Sequence, residues 1–491
     1  MFVKGAIDQL DILYGHQDYS LPLRCGNIIT FPGSELSLVR FFYMTSPSAI
    51  PSLSQRLAGI AEVECVFPDM NGIPRGKLVN ARAYIEGRRV HMAHGVLVQC
   101  LTGEYPDPRY YGYDDSDFIM RTIPGQVHIT PWTATPRALA LCETLEMDGA
   151  PSRLSSRSML QRVVERYQAR GWSPKVATEI EFYLFEHNPD VLQPFRPPVG
   201  LDGRREVGNQ AFAAGSTHAL QPFFAELKAG MASLGIPCEA VLHEMGLSQY
   251  EVNFLHDDPL LIADQTFLFK YMLHEIALKH GLIAVCMAKP LSKMPGSSMH
   301  IHQSVVDQSG QNIFTDAVSQ EPTELFSHYL GGLQAGLGDL ILLMAPNINS
   351  YQRYCHTYAS PNNLCWSQDN RRTGLRVPSS EPDARRVENR VPGADANPYL
   401  ALAASLAAGL FGIERKLQPD LPAQREFEVP DDLRLSCTVH RALRRLRISE
   451  VAREFFTPEF IDGYLACKEL ELESFMDEIS PWERRYLGSQ V

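Results

Sequence analysis

The stretch VATEIEFYLFE (residues 176–186) sets two carboxylates, Glu179 and Glu181, at alternate positions among bulky apolar residues. Such a run reads as a β-strand, on which residues i and i+2 point to one face. Two negative charges side by side in a core-like strand repel each other, and burying them is costly unless a cation sits between them. Other segments repeat the pattern. HEMGLSQYE supplies Glu244 and Glu251, GSSMHIHQS supplies His300 and His302 at i and i+2, and RRVENR places Glu388 between arginines. Taken singly, each reads more readily as a solvated edge or surface residue than as a ligand. Together, three strand-like segments offer carboxylate or imidazole on one face. Lined up around a channel they form an oxygen-rich cage that suits Mg²⁺ or Mn²⁺ better than zinc or copper. So many carboxylates call for more than one ion.

Arginines supply the opposite charge. NSYQRY holds Arg353, DNRRTGLRVP holds Arg371, Arg372 and Arg376, and ARRVENR holds Arg385, Arg386 and Arg390. Arg376 lies between Leu375 and Val377, and Arg390 ends a strand-like run. Planar guanidinium forks grip phosphate and carboxylate in this kind of setting. Paired metals with arginines are the equipment of phosphoryl transfer, where positioning and charge neutralisation carry the catalysis.

The elements that must hold these groups follow from the rest of the chain. At 491 residues with 45% hydrophobic and 21% charged side chains, the sequence is long enough for two or three domains. A net charge of −12 argues against nucleic acid as a main partner. Ten cysteines occur without a Cys-x-x-Cys pair, so neither a zinc ribbon nor a redox dithiol is suggested. Scattered thiols and the lack of a signal-peptide pattern point to a reducing cytoplasm. YLALAASLAAGLFGI (399–413) is too short and Ala-rich for a membrane span and reads as a buried helix. No Rossmann or P-loop glycine pattern follows a strand. Residues 1–54 form an extension without periodicity, in which Met44 resembles a natural start. A strand-rich domain over 55–150 follows, with a hairpin at Asn71-Gly72. A larger mixed α/β domain occupies 151–491, opened by the helix SSRSMLQRVVERYQARG. Within it, TELFSHYLGGLQAGLGDLILLMAP and VHRALRRLRISEVAREFF each read as helical.

At this point the motifs resemble those of the glutamine synthetase family. The order is Glu-x-Glu-Phe, His-Glu…Gln-x-Glu, Gly-Ser-x-Met-His-x-His-x-Ser, Asn-Ser-Tyr-x-Arg, Asn-Arg…Arg-x-Pro, Arg-Arg-x-Glu-x-Arg and Ala-Asn-Pro-Tyr-Leu, and it covers about residue 59 to the end. The resemblance implies an α+β fold: a small N-terminal β-grasp domain followed by a large catalytic domain. It implies homo-oligomeric rings of the dodecameric kind, with active sites between subunits. By position, Glu181, Glu244 and Glu251 would hold one metal, and Glu179, His300 and Glu388 a second. His302 and Ser304 would lie beside ATP. Arg371, Arg376 and Arg386 would meet its phosphates, with Arg371 and Arg376 at the reacting phosphoryl group. Gly296, His300, Arg353 and Arg390 would bind glutamate. The implied reaction phosphorylates the γ-carboxylate of glutamate, and an amine then attacks the acyl phosphate.

Departures from the family pattern point to the γ-glutamyl-amine ligase branch. Ammonia-using members carry a flap glutamate six residues after the Asn-Ser-Tyr-x-Arg arginine, where this chain has Ala359. The Asp-Gly-Ser-Ser run that serves ammonium in bacterial members is absent. Alanine gives room for an amine larger than ammonium. No tyrosine stands in DLPAQREFEVPDDL (420–433), which argues against control by adenylylation. Ser298 and Pro295 replace the usual glycine and asparagine beside the implied glutamate site. The amine stays open among putrescine, spermidine, ethanolamine and monoamines, with Asp114, Asp115 and Asp117 as a candidate diamine contact. The alternatives are an ammonia-using glutamine synthetase and a non-catalytic member with a structural or regulatory role. A nucleic-acid or partner surface on the basic helix from Val439 finds little support in the acidic total.

Overall fold

The computed structural model describes residues 52–490 apart from 191, 209, 356–359 and 489. The sequence expectations for residues 1–51 and for Ala359 therefore lie outside the described residues.

The first sheet is built from β1 (Glu62–Pro68), β2 (Pro74–Asn80), β3 (Val90–Ala93), β4 (Asp117–Thr130) and β5 (Arg137–Leu145), in the order β2-β1-β5-β4-β3. β1 and β2 form the expected hairpin, with Pro68 opposite Pro74 and Gly72 at φ +77° in its turn. Asp69 fixes that turn by accepting from the backbone N–H groups of Asn71 and Ile73 at 2.8 and 2.9 Å. β1 pairs in parallel with β5, and the remaining pairs are antiparallel. After β2 the chain does not stay extended. The Asn80 side chain accepts from Arg82 N and Ala83 N and starts a short helix, Ala81–Ile85.

The second sheet contains β6 (Ser173–Glu186), β7 (Cys238–His243), β8 (Gln249–Phe254), β9 (Leu282–Val285), β10 (Met299–Val306), β11 (Trp366–Gln368), β12 (Leu375–Val377) and β13 (Val387–Asn389). Its order is β11-β12-β13-β10-β6-β8-β7, with β9 on the far stretch of β6. Helices α1 (Ser156–Gln168), α2 (Gln221–Ser233), α3 (Pro259–Lys279), α4 (Glu324–Gly336) and α5 (Pro398–Arg415) supply the apolar layer around it. α5 is the Ala-rich run and is buried from Pro398 to Ile413. Small residues let α4 come close, since a Cβ on Gly332 would lie 2.6 Å from Gly412 Cα. Asn397 N-caps α5 through Tyr399 N at 3.0 Å and also donates to the carbonyls of Asp69 and Met70, tying the first hairpin to the start of this helix.

Two helical expectations are corrected. Residues 323–346 split into α4 and a short helix at Ile341–Met344. The basic stretch splits into α6 (Val439–Ile448) and α7 (Glu450–Phe455), before α8 (Pro458–Met476). Ser449 makes that break, because its hydroxyl accepts from Ala452 N at 3.1 Å and starts a new helix. No described helix is long and apolar enough to cross a membrane.

Candidate active site

Strand register assembles the site. β6 lies between β8 and β10, so Glu179 is opposite Asn253 on one side and His300 on the other, while Glu181 is opposite Glu251. His302 pairs with Ala177 on β6 and with Glu388 on β13, and Glu388 pairs in turn with Arg376 on β12. Directly opposed residues share a face of the sheet. Five strands therefore project their polar residues to one side.

Two cavities meet over this face. The first, about 880 Å³, is lined by Glu179, Glu181, Glu244, Glu251 and Glu388, with His300, Gly296, Arg371, Arg372, Arg376 and Arg390. The second, about 940 Å³, is lined by Lys175, His302, Ser304 and Arg386 among others. Glu179 and Asn253 line both.

Ligand atoms of Glu179, Glu251 and His300 lie within 4.8 Å of one another, as do those of Glu179, His302 and Glu388. His300 Nδ1 and His302 Nε2 stand 3.1 and 3.0 Å from the two oxygens of Glu179. Burial works against the charge on Glu179, but the hydrogen bonds from both imidazoles hold its carboxyl below the usual range. Burial also opposes Glu388, yet the nearby Arg390 cation brings it down to about 2. Arg376 Nη1 reaches Glu388 Oε2 at 2.8 Å, and Arg390 grips the other oxygen. Burial and the Arg390 charge lower His300 to about 4, leaving it neutral as a metal ligand must be.

The other carboxylates behave oppositely. Burial and the charge of Glu244 push Glu181 up to about 7. Burial raises Glu244, and burial with its three carboxylate neighbours raises Glu251 well above normal. Glu181 accepts from Ser298 N and Ser298 Oγ, both at 2.8 Å, and Asn253 Nδ2 donates to Glu251 at 2.9 Å. These neutral donors leave the cluster short of positive charge, so divalent cations on oxygen-rich ligands fit it. The arrangement can hold cations where the two cavities meet.

Most of the expected residues come together here, in two groups. His302, Ser304 and Arg386 face the second cavity, and Arg386 Nε donates to His302 Nδ1 at 3.3 Å. Arg353 is not in either wall. It is 1% exposed, donates to the carbonyls of Val391 and Arg390 at 2.7 and 2.8 Å, and packs its stem behind Gly296. Arg385 turns away to the carbonyls of Phe314 and Gln320. Asp114, Asp115 and Asp117 line neither cavity, and Asp115 accepts from Gly95 N at 2.8 Å. Sequence reasoning assigned no role to Asn253, Gln249, Lys175 or Phe212. The same-face rule reaches three of them, since Asn253 and Gln249 are two residues either side of Glu251 on β8 and Lys175 is four residues before Glu179 on β6. Phe212, in a segment without periodicity, carries no such signal.

Residues 153–487 match the family model described as glutamine synthetase, catalytic domain. The chain belongs to the glutamine synthetase family. Glutamate–isopropylamine ligase from a Pseudomonas species is 32% identical over 448 residues, covering 85% of this chain and 93% of the relative. Gamma-glutamylethanolamide synthetase from Streptomyces coelicolor is 31% identical, covering 90% and 96%. A glutamine synthetase from Pyrococcus abyssi is also 31% identical, covering 84% and 91%. The solved GmaS–ADP complex superposes with a TM-score of 0.77 at 26% identity, covering 89% of this glutamine synthetase family chain and all of that one. The mixed α/β catalytic architecture is thus that of the family.

Proposed function

We propose that this chain is an ATP-dependent ligase that joins the γ-carboxylate of glutamate to an organic amine through a γ-glutamyl phosphate. The observation that carries the reading is the continuity of the two cavities through Glu179. ATP in the Ser304–Arg386 cavity would present its terminal phosphoryl group toward the carboxylate-lined one. The names of the amine-ligase relatives support an amine as acceptor, and the ADP complex of a similar fold supports the nucleotide.

A carboxylate is a poor acyl donor because its leaving group would be oxide, and phosphorylation supplies a better one. Glu181, Glu244 and Glu251 would hold one Mg²⁺ or Mn²⁺, and Glu179, His300 and Glu388 another. The ions neutralise phosphate charge when bound. Arg371 and Arg376, on the first cavity's wall, stabilise the charge that develops on the transferring phosphoryl group. Arg386 and His302 orient the nucleotide side, and Ser304 lies with them. Gly296 lines the acid's cavity with backbone, its Cβ direction being taken up by the Arg353 stem, and Arg390 offers the acid a cation held in place by Glu388. Arg353, bonded to the Val391 and Arg390 carbonyls, would act from behind that wall rather than on the substrate.

In the same reading, residues 55–150 are the family's β-grasp domain, residues 151–491 its catalytic domain and residues 1–54 an extension. The protein forms cytoplasmic homo-oligomeric rings of dodecameric type. The deciding experiment is amine-dependent ADP release from ATP and glutamate with Mg²⁺ or Mn²⁺. Its panel holds ammonium, putrescine, spermidine, ethanolamine and small monoamines. Turnover with an organic amine and little with ammonium is expected. Ammonium as the best substrate would contradict the amine-ligase reading.

A further inference from the structure

Part of the carboxylate cluster depends on one turn, and that turn is gripped from outside the cavity. Between β7 and β8 the chain reads HEMGLSQ, from His243 to Gln249. Glu244 N donates to the Gln249 carbonyl at 2.8 Å and closes the turn, while Met245 N donates to Glu244 Oε2 at 3.1 Å. Gln249 Nε2 reaches Glu181 Oε2 at 3.3 Å and the Gly296 carbonyl at 3.0 Å. One turn thus carries Glu244, steadies Glu181 and braces the backbone at Gly296.

Local preference does not explain the shape of this turn. Ser248 sits at φ +58°, a left-handed conformation that persists only where the surroundings over-determine it. Gly246 is pressed against β6, since a Cβ there would lie 2.1 Å from Tyr183 Oη.

The constraint comes from Glu206, in the segment that joins β6 to α2. Glu206 Oε2 accepts from Ser248 N at 2.7 Å and stands 3.0 Å from His243 Nε2. The other ring nitrogen, His243 Nδ1, donates to the Glu244 carbonyl at 2.6 Å. Both ring nitrogens face acceptors, so the ring donates at both and its charge meets the carboxylate. Phe212, from the same segment and itself at φ +59°, donates its N–H to the His243 carbonyl at 3.0 Å. Neither Glu206 nor His243 lines either of the two large cavities. Both border a separate hollow of about 200 Å³ on the far side of the turn. A single carboxylate therefore holds both ends of the turn, through His243 at one end and Ser248 at the other.

We infer that Glu206, acting through His243 and Ser248, is a positioning residue for the proposed metal site of Glu181, Glu244 and Glu251. This rests on the metal reading above. Ligating carboxylates bind well when their own hydrogen bonds fix their direction, and removing such an outer partner costs about 10–100-fold in metal affinity. Glu206 sets where Glu244 points and where Gln249 reaches, without touching metal or substrate.

The test titrates Mn²⁺ into the metal-stripped full-length chain, by calorimetry and by the electron paramagnetic resonance of free Mn²⁺. It compares the parent with Glu206→Ala and Glu206→Gln. Glu251→Gln identifies the ion held by the three carboxylates, because it deletes one of that ion's ligands. Glu206→Ala should weaken the same ion about tenfold or more and leave the other at parental affinity. Glu206→Gln keeps an acceptor for Ser248 N but loses the charge facing His243, so a smaller loss, about threefold or more, is expected. If Glu206→Ala does not fold, Glu206→Gln decides by the same comparison. A lowered thermal midpoint with both ions at parental affinity would make Glu206 a structural residue and overturn the inference. Equal weakening of both ions would overturn it too, since that reports general loosening. A parent chain that binds no Mn²⁺ would overturn the metal-site reading and this inference together.

Discussion

Replacing Arg353 separates a residue that binds substrate from one that builds the wall behind it. The motif-based expectation puts this guanidinium on glutamate, whereas the structure turns it onto two backbone carbonyls. Val391 O also accepts from Tyr354 Oη at 2.7 Å, so Arg353→Met leaves chiefly Arg390 O unpaired. An orphaned buried carbonyl costs about 1–3 kcal/mol, and losing charged hydrogen bonds brings the expected total to about 3 kcal/mol. Arg353→Lys keeps the charge and much of the stem, but one ammonium cannot reproduce the fork, so a loss of about 1–2 kcal/mol is expected. Urea unfolding should show a lowered midpoint for both variants, larger for Met, with the slope unchanged. The glutamate KM should move with Arg390, whose carbonyl Arg353 holds. If Arg353→Lys unfolds like the parent yet loses tenfold or more in glutamate affinity, the guanidinium contacts substrate and the wall assignment is wrong.

Other outcomes follow from the same geometry. Glu181 is raised to about 7 by burial and the Glu244 charge, so between the unfolded value and pH 7 the folded state holds the extra proton. Stability of the metal-stripped protein should therefore fall as pH rises through about 4.5 to 7, by on the order of 3 kcal/mol for this group alone. Mg²⁺ or Mn²⁺ should stabilise more at pH 7.5 than at pH 5, as seen by calorimetry with and without chelator, and a flat pH dependence after chelation would count against the shared cation site. Asn397→Ala removes both the α5 cap and two donors to the Asp69–Met70 turn, with a loss of about 2–3 kcal/mol expected in urea unfolding. Loss of under 0.5 kcal/mol would mean that this junction does not hold the hairpin.

The polar face was legible in the sequence because strand alternation is a local rule. Glu179 with Glu181, and His300 with His302, had to share sides once their segments were extended. Which strands would be neighbours was not local: no periodicity states that β10 pairs with β6 and sets His300 opposite Glu179. The resemblance in motif order implied only that these residues meet at shared metals, not which strands pair. The direction of Arg353 was not legible, because a motif gives position but not side-chain direction, and it sits where a helical turn at Ile348–Tyr351 runs into Gln352–Cys355. Ser298 read as a departure beside the glutamate site, yet its hydroxyl is a hydrogen-bond donor to Glu181. The α6–α7 break was missed because the apolar spacing continues across Ser449, while the hydroxyl that breaks it competes through a cap. Phe212 was invisible because a positive φ at a non-glycine residue is imposed by its surroundings.

The central claim is that glutamate is activated as an acyl phosphate before an organic amine attacks it. Glutamate carrying ¹⁸O in its γ-carboxylate, incubated with ATP, Mg²⁺ and the best amine of the panel, tests this directly. The account predicts that the released phosphate gains one ¹⁸O and the amide retains the other. Amide formation with unlabelled phosphate would contradict it.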